Sequence, residues 1–219
     1  MIKSILSATA LCVTFGANAQ VAGSLGGGYG SFLTLSSSVA NPVTSPNAGG
    51  TLGGIYAITG GSVYGADQTF ASKPEGTTIF GGNFLAAGPT AGAPATINFG
   101  AAGIDYISFL WGSADLYNVL TVNSTGGGSQ TFVAGAAGVG QTSLGFSSTN
   151  GNQSVSQYVQ FDGIGANRIT SLVFNNVPQI NAFESANYSI TPVPEPETYA
   201  LLLAGLGVVG FMARRRKSV

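Results

Sequence analysis

Hydrophobic and polar positions alternate in short runs along most of this chain. Val155, Val159 and Phe161 are interleaved with polar Ser156, Tyr158, Gln160 and Asp162, a period of two that lays one face of a strand on a core and turns the other to water. Ile107-Ser108-Phe109-Leu110-Trp111 and Leu172-Val173-Phe174 are apolar on both sides, which predicts central strands. Turn-forming clusters interrupt these runs at Gly26-Gly27-Gly28, Asn47-Ala48-Gly49-Gly50, Gly60-Gly61, Gly81-Gly82-Asn83, Gly126-Gly127-Gly128 and Asn150-Gly151-Asn152. Short β-branched and aromatic segments bounded in this way predict an all-β domain.

The pattern places strands at 29–38, 52–59, 68–72, 77–80, 95–99, 105–111, 117–123, 154–162, 168–175 and 183–190. The expected architecture is an antiparallel two-sheet sandwich, jelly-roll-like. Residues 20–46 fit either a loose leader or an edge hairpin. Two prolines and two glycines make 86–95 a loop. No internal repeat is evident, which weighs against a propeller, a solenoid or a Ca²⁺-binding nonapeptide array.

The two ends follow a different pattern. Lys3 precedes an apolar run from Ile5 to Phe15, and Ala17-Asn18-Ala19 is a small-residue cleavage site. Together they read as a signal peptide over 1–19, removed by signal peptidase at Ala17 and Ala19. Cys12 invites a lipoprotein reading, but Thr9-Ala10-Leu11 lacks the small residue such processing wants before the cysteine.

At the other end, Pro192, Pro194 and Pro196 stiffen an extended hinge. Residues 198–213 carry no charge and form a helix of about 24 Å, which Arg214, Arg215, Arg216 and Lys217 complete by snorkelling on the cytoplasmic side. The expectation is a single C-terminal transmembrane helix with its basic stub inside. The chain thus divides into a signal at 1–19, an all-β ectodomain at 20–191 and a tail at 192–219.

Composition narrows the function of the middle. Only 7% of all residues are charged, and 10% are aromatic; the block folds, with a polar but nearly uncharged surface. Lys73 and Arg168 are its cations, against Asp67, Glu75, Asp105, Asp115, Asp162 and Glu184. Nothing there neutralises phosphates, so nucleic acid is not expected as a partner. Histidine is absent and Cys12 is the sole cysteine, which removes Ser-His-Asp, Cys-His and His-based metal templates. The mature block has no disulfide to rely on. Glycosidase chemistry needs two carboxyls roughly 5–10 Å apart, with Asp105, Asp115, Asp162 and Glu184 as the available set. Each has a plainer role as a turn or strand-end residue, and the expectation is a protein that is not an enzyme, with no cofactor and no metal.

The order Pro194-Glu195-Pro196, apolar helix and terminal arginine cluster resembles the PEP-CTERM sorting signal. The resemblance implies recognition at Pro194-Glu195-Pro196 and removal of the tail by a membrane-embedded exosortase. It further implies a Gram-negative host that secretes exopolysaccharide, with the protein anchored in the inner membrane before processing and then delivered to the cell surface or extracellular matrix.

Trp111-Gly112-Ser113-Ala114-Asp115-Leu116-Tyr117-Asn118 is similar to a Trp-Gly-Ser-x-Asp-x-Tyr-Asn pattern in ectodomains of that family. Phe183-Glu184-Ser185-Ala186-Asn187 resembles their Phe-Glu-x-Asp-Asn final strand, with Ala186 where the family has Asp. On one reading Trp111, Asp115, Tyr117 and Asn118 form a shallow glycan-binding surface, and Asp115, Asn118 and Glu184 offer oxygens to Ca²⁺. On the other, which is favoured, Trp111 plugs the sandwich, Asp115 and Asn118 tie the turn, and Glu184 pairs with Lys73 or Arg168. The leading expectation is a structural surface or matrix protein associated with exopolysaccharide, the alternatives being a lectin-like module or an ice-binding protein. Scattered Thr77, Thr78, Thr121 and Thr142 do not suggest the regular threonine array that ice binding needs.

Overall fold

The computed structural model describes residues 20–191 apart from 29, 43, 147–151, 153 and 179, together with 205, 206 and 212. The signal with Ala17 and Ala19 lies outside the described residues, as do Pro194, Glu195, Pro196 and the cations Arg214, Arg215, Arg216 and Lys217. Among the described residues no helix is long and apolar enough to cross a membrane.

Two sheets account for the described block. The six-stranded sheet runs, in spatial order, β1 (Val21–Leu25), β12 (Gln157–Gly163), β8 (Tyr106–Gly112), β14 (Phe183–Ser189), β6 (Phe84–Ala87) and β5 (Ser62–Tyr64). The eight-stranded sheet runs β11 (Gln141–Ser143), β10 (Ser129–Val133), β9 (Asn118–Ser124), β13 (Ile169–Asn176), β7 (Ala95–Asn98), β4 (Tyr56–Thr59), β3 (Gly50–Leu52) and β2 (Leu35–Ser37). Neighbours pair antiparallel except β10 and β11, which are parallel, so the second sheet is mixed and not purely antiparallel as its sequence suggested.

The core is aromatic. Ile107, Phe109 and Trp111 of β8, Phe183 and Tyr188 of β14, and Val159 and Phe161 of β12 face Leu120 and Val122 of β9, Leu172 and Phe174 of β13, and Phe132 of β10. Phe109 sits at the centre, 5.3–6.4 Å from the rings of Trp111, Phe161, Phe174 and Tyr188, within the range where ring pairs add to area burial. The alternation read at Val159 and Phe161 is realised, both being buried while Gln160 is half-buried and Asp162 exposed.

β8 is buried over its whole length because its other face is covered too. Residues 65–83 form a strap across the outside of the six-stranded sheet, putting Ala71 and Ile79 against Leu110, Phe84, Ala86 and Ala186 in a second apolar cluster. This is where the expected strands at 68–72 and 77–80 fall. Neither forms: Gln68 and Ala71 close a tight turn on each other, and Phe80 begins a 3₁₀ turn. Ala71 and Ile79 meet a sheet face, not a sheet edge, so their backbone groups close local turns, with Gln68 and Gly82, instead of joining a ladder.

The segment 20–46 supplies two edge strands in different sheets, β1 and β2, so neither a loose leader nor a hairpin describes it. Ala86 and Ala87 belong to β6, which shortens the expected loop to the residues between β6 and β7. β5, β10 and β11 were not legible as strands; each is short or rich in Ser, Thr and Gln.

Register fixes the orientation of the ends. Val21 lies opposite Gly163, Asp162 opposite Tyr106, and Ser189 opposite Ser108. The block therefore begins and ends at the Tyr106 end of β8. Glu184 lies opposite Gly112, at the far end.

Candidate functional site

The turn from β8 to β9 and the start of β14 meet at that far end. Ser113 leaves β8 with φ +30°, a conformation a non-glycine residue holds only when its surroundings enforce it. What enforces it is Glu184: Ser113 Oγ donates to Glu184 Oε2 at 2.9 Å and the Ser72 amide of the strap donates to Oε1 at 3.3 Å. Glu184 is 1% exposed. Burial, with the Asp115 carboxylate nearby as a smaller cause, outweighs both hydrogen bonds and raises its pKa to about 8. Glu184 thus holds its proton at neutral pH.

The sequence-predicted residues come together here, but not as a surface. Trp111 is 0% exposed, stacked on Phe183 at 4.3 Å and edge-on to Phe146 at 5.6 Å; its ring offers no face to a sugar. Asp115 is buried and accepts from Tyr117 Oη at 2.6 Å, and the Asn181 amide donates to the same phenol at 2.9 Å. Burial first, then the Asp115 contact, holds the Tyr117 phenol well above its usual pKa. Asn118 is buried, with Nδ2 donating to the Ser113 carbonyl at 3.5 Å and its amide nitrogen to the Asp115 carbonyl at 3.1 Å, so it does tie the turn.

Glu184 pairs with neither cation: Arg168 is bound to Asp105 at 3.0 Å at the opposite end of the sandwich, and that pair is exposed. Desolvation explains why a strand-internal Glu on the covered side of a sheet turns to hydroxyl and amide donors.

Trp111 Nε1, Asn118 Oδ1 and Asn176 Oδ1 are buried without a protein partner, and Asn118 and Asn176 are opposite one another in the β9–β13 ladder. Among the described residues no group of three or more His, Cys, Asp or Glu is placed to hold a metal ion. Neither Glu184 nor Asp115 is open to solvent, so a substrate would reach this pair of carboxyls only if the turn or the strap moved.

Asn187 is a site residue that sequence reasoning passed over. A register shift in β14 between Ala186 and Ser189 and a φ of +53° turn it outward, where its Oδ1 accepts from the Phe80 amide at 2.7 Å and its Nδ2 donates to the Thr78 carbonyl and to Tyr158 Oη. Bulges re-aim side chains in this manner, and Asn tolerates the left-handed region. An Asn inside an otherwise strand-like run was the signal available.

Glycine at 112 has a steric reason. A Cβ there would lie 2.7 Å from Pro74 Cγ and 3.2 Å from Glu184 Cβ. Gly112→Ala should therefore push the strap off the sheet and lower stability by about 2 kcal/mol, read as a reduced urea midpoint with faster proteolysis between residues 65 and 83. An unchanged midpoint would show that the strap is not seated on Gly112.

The family model of the PEP-CTERM protein-sorting motif matches residues 192–217. No curated protein and no solved structure matches the chain.

Proposed function

Because this chain is a PEP-CTERM domain-containing protein with a β-sandwich, we propose that its mature domain is a non-enzymatic structural component of the cell surface or extracellular matrix, associated with exopolysaccharide. The sorting motif marks an exported, exosortase-sorted protein. The observation that carries the structural reading is the arrangement at the Glu184 end. The residues with chemistry to offer, Glu184, Asp115, Asn118 and Trp111, are spent on holding the turn, the strap and the core together. Sealed polar groups of this kind specify a fold.

The two processing steps suit the topology. Residue 20 and residue 191 emerge at the Tyr106 end of β8, so a membrane helix over 198–213, stopped by Arg214, Arg215, Arg216 and Lys217, holds that end toward the bilayer and the Glu184 end away from it. Signal peptidase acts at Ala17 and Ala19, and the exosortase acts on Pro194-Glu195-Pro196 outside the membrane. The host is a Gram-negative bacterium and the released domain joins its outer surface.

Replacing Pro194, Glu195 and Pro196 together by alanine should leave the tail attached. Mass spectrometry of the native C-terminus would then find the Arg214–Lys217 stub retained and the protein in the inner-membrane fraction. A normally trimmed C-terminus in that variant would remove the sorting step from this account.

A further inference from the structure

The two outer sheet faces are treated differently by this fold. The six-stranded sheet is covered by the strap, whereas positions on the outside of the eight-stranded sheet are half-buried or exposed. The register there aligns Thr131 with Thr121, Thr121 with Val173, Val173 with Thr96 and Thr96 with Thr59. Beside this row runs a second, Ser129, Asn123, Ser171, Asn98 and Ala57. Threonines that look scattered in the sequence thus become ladder neighbours.

Both rows are free of charge. Asp67, Lys73 and Glu75 belong to the strap, Asp105 and Arg168 to the ion pair at the sandwich end, Asp162 to β12, and Asp115 and Glu184 to the buried cluster. The side chains are also held in place before anything binds: the Thr121 and Thr131 hydroxyls are 3.4 Å apart, and Asn123 Nδ2 donates to Ser171 Oγ at 2.8 Å. Ordered donors and acceptors lose little entropy on binding.

We propose that this face is a binding track for a neutral polysaccharide chain, an inference that rests on the exopolysaccharide reading above and assigns it a surface. An uncharged face gives a polyanion or a phosphate polymer nothing to pair with, while hydroxyls and amides match a hydroxyl-bearing chain and Val173 meets its C–H surface. Strands about 4.8 Å apart make the five-residue row about 19 Å long. Sheets twist by roughly 20–25° per strand, so the row follows a curved path that a flexible polymer can track. A flat ice lattice cannot.

The test uses the full chain in mild detergent, by affinity electrophoresis through gels containing hydroxyethylcellulose or alginate. The neutral polymer should retard the wild type and alginate should not. Thr121→Lys and Thr96→Lys should weaken retardation at least tenfold, the exposed Thr59→Lys should weaken it severalfold, and Thr77→Lys on the strap should leave it unchanged, with circular dichroism melting confirming that each variant is folded. Wild-type retardation in folded Thr121→Lys and Thr59→Lys would overturn the track.

Co-sedimentation with exopolysaccharide from the producing cells separates the two levels. Binding that persists in these variants rejects the face alone, whereas no binding by the wild type rejects the parent reading with it. Faceting of ice crystals by the wild type, lost in Thr121→Lys and without polymer retardation, would give the face to ice and overturn the proposal.

Discussion

Trp111→Ala is expected to destabilise the domain by about 4 kcal/mol, in the range typical of emptying a buried aromatic site. The indole is 0% exposed, stacked on Phe183 at 4.3 Å and in contact with Phe109 and Phe146. Its removal opens a cavity that the rigid ladder of β8 between β12 and β14 cannot close. Urea unfolding followed by circular dichroism measures the loss, and a change below about 1 kcal/mol would contradict this burial. Trp111 is the single tryptophan, so intrinsic fluorescence reports on it alone. Its emission should be that of a dry indole and should stay unshifted when polysaccharide is added.

Stability should fall as pH rises from about 4.5 to about 8, and Glu184 should be the cause. Its ordinary pKa of 4.5 is raised to about 8 by burial. Below 4.5 folded and unfolded chains both carry the proton and the stabilisation is complete. Between the two values the unfolded chain gives the proton up first, so each pH unit removes about 1.4 kcal/mol, up to roughly 5 kcal/mol in all. Above 8 both states are ionised and the loss levels off.

Glu184→Gln keeps the shape without an ionisable proton, its Oε1 accepting from the Ser72 amide and its Nε2 donating to the Ser113 hydroxyl, which rotates to accept, so its unfolding midpoint should be nearly flat across that window and higher than wild type at pH 8.5. Parallel pH profiles for the two proteins would rule Glu184 out. The Ser72 bond ties the carboxyl to the strap, so the wild-type strap should also become sensitive to protease as the pH is raised, and the variant's should not.

Much of the candidate site was legible as residues and not as a place. Trp111, Asp115, Tyr117 and Asn118 were grouped by the family pattern they resemble, and they do lie together, Trp111 at the end of β8 and the other three tied in and beside the turn that follows. Their spacing said nothing of the strap or of Phe183 and Phe146, which decide that the tryptophan is sealed and that the turn is tied from inside. The expected pairing of Glu184 with Lys73 or Arg168 treated charges as if they would find each other. Arg168 instead meets Asp105 in water, because in a sheet the partner is decided by register and face.

What the sequence determined by itself was local or linear. Period-two alternation at Val159 and Phe161, turn clusters of Gly and Asn, an aromatic β8, and a sorting motif recognisable by its linear order of proline, apolar run and arginines all depend on neighbours in the chain. What only the tertiary structure decided was everything that depends on which strands lie side by side. The strap over the six-stranded sheet, the parallel β10–β11 pair, the raised pKa of Glu184 and the alignment of Thr131, Thr121, Thr96 and Thr59 arise from contacts between residues far apart in sequence. A side chain's burial and its cross-strand neighbours are properties of the sheet, and no window along the chain contains them.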